Sequence, residues 1–422
     1  MKNRLVVPLA AASVLALGAV LAAPAASARS GLTASASGVT SKTITIGFIT
    51  SETGVASSTF SDSALGAQVR FDAQNAAGGV DGRKLKLVVV DDQSSPSLDN
   101  TAGQDLVAKG VFGIIQFSPF AFEGARYLNQ QGVPVTGGGF DGTEWGEQPY
   151  TNMFSYGGGF DATYPTNTVY GQFFKSLGVT RVGGIAYGIS SSSTDSVKDL
   201  KESAQAEGLQ MPYEDLSFAF GGTDFTQQVL AMKQAKVNGA ACSCVQNSNI
   251  ALLVAAKQGG LKLKAEVSFS GADSSLFQDA SATQAAQGAY FPTTIVPLDL
   301  GTQPDKVFVS NLKKYDPAYK GGYPSYGLTG AYLSADLMIK GLEEAGRNPT
   351  RPAFIKNLSK VTGYTAGGLL VNPSSYNHFG HGATRGCGYF TRVVGRQFVT
   401  INDKKPFCGK LIPNSGVATA SS

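Results

Sequence analysis

The sequence predicts an α/β protein in which parallel sheets are covered by helices. Two observations carry that expectation. Apolar, β-rich runs alternate with helix-period segments from Thr43 to the "KAEVSFS" run near residue 270, the order that builds parallel sheets with helices on their faces. The same alternation then restarts after "TNMFSYGGGF", so the 422 residues hold two successive α/β units. With 42% hydrophobic and 15% charged residues, the chain can build substantial cores.

In the first unit, "TITIGFIT" (Thr43–Thr50) reads as a strand. Ser63 to Ala77 sets Leu65, Val69, Ala73 and Ala76 at helical spacing, and Gly78-Gly79 ends that helix. The strand "LKLVVVDD" follows, then a helix over Leu98–Lys109, the strand "VFGIIQF", a helix over Phe120–Gln131, and "GVPVT" leading into the loop "GGGFDGTEW". The second unit places helices at Ala162–Leu177, Thr194–Glu207, Asp224–Lys236 and Ile250–Gln258. Between them stand "RVGGIAY", a strand near Tyr213–Ser217, "GAACSCV" and "KAEVSFS". "QGAYFPTTIVP" is a further strand. Helices are expected at Asp305–Tyr315, Leu328–Ala345 and Pro352–Leu358, and "GYFTRVVGRQFVTI" reads as paired strands.

The first residues have a basic start, an apolar run and the A-x-A site Ala26-Ser27-Ala28, which together read as an export signal over residues 1–28. No Cys precedes Cys242, so no lipid-modified N-terminal cysteine is expected. The protein is expected in the periplasm, cell wall or medium. The Ser/Ala/Gly-rich stretches 30–41 and 411–422 read as a linker and a mobile tail. Oxidising conditions make the four cysteines candidates for disulfides. Cys387 and Cys408 are expected to pair. Cys242 and Cys244 face one side of an apolar strand and either bond to each other or stay as two small buried side chains.

Several chemistries lack their residues. Without Lys2 and Arg4 the balance is 32 basic against 30 acidic side chains, no footprint for nucleic acid. Asp91 and Asp92 end a strand where a dinucleotide fold places its ribose-binding acid. The upstream loop "GFITSETGVASSTFSDSALG" has no G-x-G-x-x-G, so these acids read as loop and helix caps and no cofactor is expected. There is no G-x-S-x-G elbow. The two histidines, His378 and His381, stand in a Gly/Asn-rich loop without an evident third metal ligand. No enzyme activity and no metal are expected.

The ordered series "ITIGFITSETG…ALGAQVRFDAQNAAGGVDGRKLKLVVVDDQSSP", "VFGIIQFSPF…GVPVTGGG", "RVGGIAYG", "TDFTQQVLAMKQAKVNGA" and "YGLTGAYLSADLMIKGLEEAG" resembles type I periplasmic binding proteins, in particular the branched-chain amino-acid (Leu/Ile/Val) receptors of ABC importers. The resemblance implies two Rossmann-like lobes joined by a three-segment hinge, with residues 42–155 and 293–390 in lobe I and 156–292 and 391–410 in lobe II. One small ligand is held between them, and a membrane permease recognises the closed form. A ligand sensor or scaffold of the same fold, without a permease, is the alternative. A monomer is expected.

Carried over by position, the resemblance implies that Ser118 offers a hydroxyl, and Gly139 a backbone N–H, to a ligand carboxylate. Asp273 takes an ammonium. Asn247 lies near a second-lobe contact, Tyr323 or Tyr326 walls the side-chain pocket, and Phe60 closes it. Asp141 stands where those receptors carry Ser or Thr, and the loops "GISSSST" and "VQNSN" are polar where they carry tyrosines. These departures favour a more hydrophilic or more cationic ligand, an amide or hydroxylated compound or a polyamine, unless Asp141 turns outward as a loop cap.

Overall fold

β1 (Thr43–Thr50) lies inside a sheet, between two other strands, because neither of its faces carries a charge, and its last five residues are buried. The computed structural model describes Met1 and residues 36–146, 148–157, 166–293, 295–377, 386–413 and 415; the export signal, His378 and His381, and most of the expected C-terminal tail lie outside the described residues. From Ala36 on, the described residues fall within one compact unit.

After β1 come α1 (Ser57–Phe60), α2 (Ser63–Ala76), β2 (Lys84–Asp91), α3 (Pro96–Ala108), β3 (Ile114–Phe117), α4 (Ala121–Gln130), β4 (Val135–Gly137) and β5 (Met153–Ser155). The strands pair in the order β2-β1-β3-β4-β5, all parallel. β2 sits at the edge, and only its first residues alternate cleanly between exposed and buried.

The second sheet begins after α5 (Val169–Ser176), with β6 (Arg181–Tyr187), α6 (Ser191–Ala206), β7 (Gln210–Phe218), α7 (Thr226–Gln234), β8 (Gly239–Ser243), α8 (Gln246–Gln258), β9 (Ala265–Ser268), α9 (Ala280–Ala285) and β10 (Tyr290–Thr293). The chain then returns to the first sheet as α10 (Gln303–Tyr315), α11 (Tyr326–Ala345) and α12 (Arg351–Leu358). It crosses again to β11 (Cys387–Val394), β12 (Gln397–Thr400) and β13 (Phe407–Cys408). The second sheet runs β12-β11-β10-β9-β8-β6-β7, with β13 on β11. It is parallel from β7 to β10 and antiparallel beyond. β11 belongs to this sheet over its whole length and runs unbroken past residue 390.

This is a two-lobe α/β architecture with three passages between the sheets, as the resemblance implies. Several helix starts follow capping chemistry. Ser190 accepts from Ser193 N at the start of α6, Thr302 and Asp305 form a capping box on α10, and Ser325 and Thr350 cap α11 and α12. α11 is nearly all buried, and Gly330 lets it lie directly on the Phe117 ring, where any Cβ would collide. Among the described residues no helix is long and apolar enough to cross a membrane.

Candidate ligand-binding cleft

Parallel strands deliver their C-terminal ends, and the loops after them, to one edge of a sheet, which is where open α/β sheets bind ligands. Here the ends of β3 and β4 face those of β6, β8 and β9 across a cavity of about 210 Å³. The lobes touch at its rim. Gln246 N donates to Thr59 Oγ1 (3.0 Å), and the Phe120 and Phe220 rings meet at 5.3 Å. The Gln246 amide, oriented to satisfy both neighbours, donates to Ser58 O (2.9 Å) and Asp273 Oδ2 (3.1 Å).

The first lobe lines the cavity with Thr59, Phe60, Pro119, Phe140 and Tyr326. Its rings form one cluster: Phe60 lies 6.0 Å from Phe140 and 6.3 Å from Tyr326, and Phe140 lies 5.7 Å from Tyr326. Phe117 backs all three, at 5.2–5.8 Å. The close seat of Phe117 on Gly330 therefore fixes the wall from behind.

The second lobe answers with hydroxyls. Ser190, Ser192, Ser193 and Ser196 come from the start of α6, Ser243 from the end of β8, and Ser270 from the loop after β9. Some are committed. Ser193 Oγ donates to Ser243 O (2.7 Å), and Ser196 Oγ donates to Ser192 O (2.8 Å). The pairs Ser190–Ser192 (3.0 Å) and Ser268–Ser270 (3.1 Å) share a hydrogen bond between hydroxyls, which leaves each pair a hydrogen to donate. Among the described residues Ser243 Oγ and Tyr326 Oη have no protein partner. Phe220, Phe269, Tyr187 and Cys244 complete this side. The Cys242 and Cys244 sulfurs lie at bonding distance, as do those of Cys387 and Cys408.

The acids around the cavity are already engaged. Asp92 is fully buried and accepts from Ser51 Oγ (2.6 Å), Ser94 N (2.8 Å) and Ser118 Oγ. Asp91 caps the neighbouring turn, accepting from Thr53 Oγ1 (2.6 Å) and Gln93 N (2.8 Å). Asp141 accepts from Ala121 N at the start of α4 (2.7 Å) and from Trp145 Nε1 (2.7 Å); burial pushes it up to about 7. Asp273 caps a short 3₁₀ turn, accepting from Ser275 N (2.8 Å) and Ser275 Oγ (2.7 Å), and burial raises its pKa. Across the lobe boundary, burial pushes Asp62 up to about 6; it accepts from Ser325 Oγ (2.5 Å).

The residues singled out in the sequence thus fall into groups. Phe60 and Tyr326 line the cavity together. Ser118, Gly139 and Asp141 are buried, and none of them lines it. Ser118 turns its hydroxyl to Asp92, and Asp141 turns inward onto α4. Tyr323 lines a neighbouring hollow of about 30 Å³, and its hydroxyl donates to Asp299 (3.1 Å). Asp273 stands at the lobe contact, and Asn247 is exposed on α8. Sequence reasoning did not single out Phe140, Phe220, Phe269 or the serines one by one; the polar run "GISSSST" was the available signal. Among the described residues no group of three or more His, Cys, Asp or Glu could hold a metal.

A family profile described as "Periplasmic binding protein" matches residues 43–397. Comparison with curated proteins finds no match. Among solved structures, the chain is similar to a fatty acid ABC transporter substrate-binding protein from Thermomonospora curvata, at 21% identity and a TM-score of 0.72, covering 90% of this chain and 96% of that one. It is similar to a branched-chain amino acid ABC transporter protein from Thermus thermophilus with bound valine, at 16% identity and a TM-score of 0.71, covering 87% and 96%. A solute binding protein from R. palustris in complex with benzoate aligns at 15% identity and a TM-score of 0.70, covering 89% and 99%. Identities this low establish a shared fold and leave the ligand to the site itself.

Proposed function

Because this chain belongs to the periplasmic binding protein family, we propose that it is an exported solute-binding protein that closes on one small molecule and hands it to the permease of an ABC importer. The observation that carries this reading is the cavity between two lobes at the C-terminal ends of the parallel strands of both sheets. A ligand there touches both walls at once, so it stabilises the closed arrangement by its differential affinity for it. Phe60 and Tyr326 supply first-lobe contacts in this reading, and the serines of α6 and β8 the second-lobe ones. The protein acts as a monomer, as a binder and not a catalyst.

The test is mass spectrometry of small molecules released when the purified protein is denatured, followed by calorimetry with the compound found. A compound that binds at one site per chain and is lost in Tyr326→Ala supports the reading. No released compound, and no thermal stabilisation across amino acids, amides, polyamines, aromatic acids and fatty acids, would overturn it.

A further inference from the structure

The two walls of the cavity differ in chemistry, and that difference specifies a ligand. We propose that the ligand has an apolar ring or branched body, a polar end that presents a hydrogen-bond-accepting oxygen (a carboxylate or carboxamide), and no ammonium group. This rests on the solute-binding reading above and narrows it.

The first-lobe wall is mainly apolar, with the Thr59 and Tyr326 hydroxyls as its polar groups. Phe60, Phe140 and Tyr326 pack on one another with Phe117 behind them, a surface suited to a ring or branched chain. The second-lobe wall donates. The Ser190–Ser192 and Ser268–Ser270 pairs each keep a hydroxyl hydrogen, and Ser243 faces the cavity unpartnered among the described residues. From the first-lobe rim, Thr59 Oγ1 accepts from Gln246 N of the second lobe and keeps its own hydrogen to give. Hydroxyls donate as well as accept, but the donors here meet no acceptor in the wall, so an acceptor end of the ligand satisfies them.

An ammonium finds the opposite situation. Among the described residues no carboxylate lines the cavity, and the acids nearby are held elsewhere: Asp92 by Ser51, Ser94 and Ser118, Asp141 by α4 and Trp145, and Asp273 by Ser275 and Gln246. To bind an ammonium, one of them would have to leave its donors. A buried cation without a counter-charge is strongly disfavoured.

Matched pairs that differ only in the amino group test this directly. Calorimetry is run with phenylacetate against phenylglycine, and with 4-methylpentanoate against leucine; phenylacetamide distinguishes a neutral from an anionic acceptor end. The expected result is that at least one ammonium-free compound binds ten-fold or more tightly than its amino partner, and that Ser243→Ala weakens it several-fold without lowering the melting temperature of the ligand-free protein. Equal or tighter binding of phenylglycine or leucine overturns the ligand class while leaving the solute-binding reading intact. Binding by none of the five also overturns the ligand class; the solute-binding reading is then judged separately by the released-compound experiment.

Discussion

The Ser118 hydroxyl donates to the buried carboxylate of Asp92, which also holds Ser51 Oγ at 2.6 Å. Three neighbouring strand ends, those of β1, β2 and β3, are thereby tied at one acid beneath the cavity. Removing the acid leaves the Ser51 and Ser118 hydroxyls only each other, at 3.4 Å, and orphans the Ser94 N–H. Each buried hydrogen bond to a charged group contributes about 1.5–3 kcal/mol, and the losses overlap. Asp92→Ala is expected to lower unfolding stability by about 3 kcal/mol, and Asp92→Asn by less, because the amide oxygen still accepts. Urea denaturation followed by Trp145 fluorescence measures both; equal effects would show that acceptance by the side chain is not what matters.

A second acid lacks any such partner. Glu266, on β9, is buried, both its carboxylate oxygens are without a hydrogen bond, and burial pushes its pKa up to about 8. The folded state therefore keeps its proton across a range in which the unfolded chain, near 4.5, has lost it. Stability from this group is fully present below pH 4.5, declines from there to about pH 8, and is flat above. At one pKa unit per about 1.4 kcal/mol, the decline by pH 7 is roughly 3 kcal/mol. Glu266→Gln removes this slope. Unfolding curves at pH 5 and pH 8 should show a smaller loss in the variant than in the wild type, while an identical loss would locate the pH dependence in other buried acids such as Asp141.

The fold was legible because burial on both faces leaves a direct trace in sequence: "TITIGFIT" and "GAACSCV" carry no charged residue and only Thr or Ser among their apolar and small residues, as buried parallel strands allow. The cavity was less so. Phe60 and Tyr326 could be placed only because the resemblance carries them over by position, Phe60 in the loop after the first strand and Tyr326 or Tyr323 ahead of the last long helix. Phe140 and Phe269 sit in irregular loops, where no period says which way a ring turns. The polarity of "GISSSST" was visible, but not which hydroxyls are spent on backbone carbonyls, since that depends on α6 starting at Ser191 with Ser190 as its cap. Whether Ser118 faces a ligand or Asp92 is likewise decided by the end of β2, two strands over in the sheet and 26 residues away in sequence.

The two cysteine pairs are expected to matter unequally. Cys387–Cys408 spans 21 residues and staples β13 to β11. By chain entropy a loop of that length stabilises by about 3 kcal/mol. Cys242–Cys244 spans two, so it restrains the unfolded chain far less. Cys408→Ser should therefore lower the urea midpoint clearly more than Cys244→Ser. Alkylation with and without reduction, read by peptide mass, should first show both pairs oxidised in the exported protein. A larger loss in Cys244→Ser would mean that packing of β8 against the cavity outweighs the loop term.

Gly330 links the core to the cavity wall. It lies in the buried second turn of α11, where glycine costs helix stability by about 1 kcal/mol relative to alanine. On helix propensity alone, Gly330→Ala should stabilise. Yet a Cβ there would collide with the Phe117 ring, and Phe117 is packed against Phe60, Phe140 and Tyr326, so the ring can yield only by moving the wall or by parting α11 from β3. Overpacking of this kind costs about 1–3 kcal/mol, which outweighs the propensity gain. Gly330→Ala is expected to be net destabilising and also to weaken ligand binding, although residue 330 does not line the cavity. The double variant Gly330→Ala with Phe117→Leu should recover stability relative to Gly330→Ala, because the shorter side chain makes room for the methyl group. Thermal unfolding of the two variants decides the point: no recovery in the double variant would place the strain elsewhere in α11.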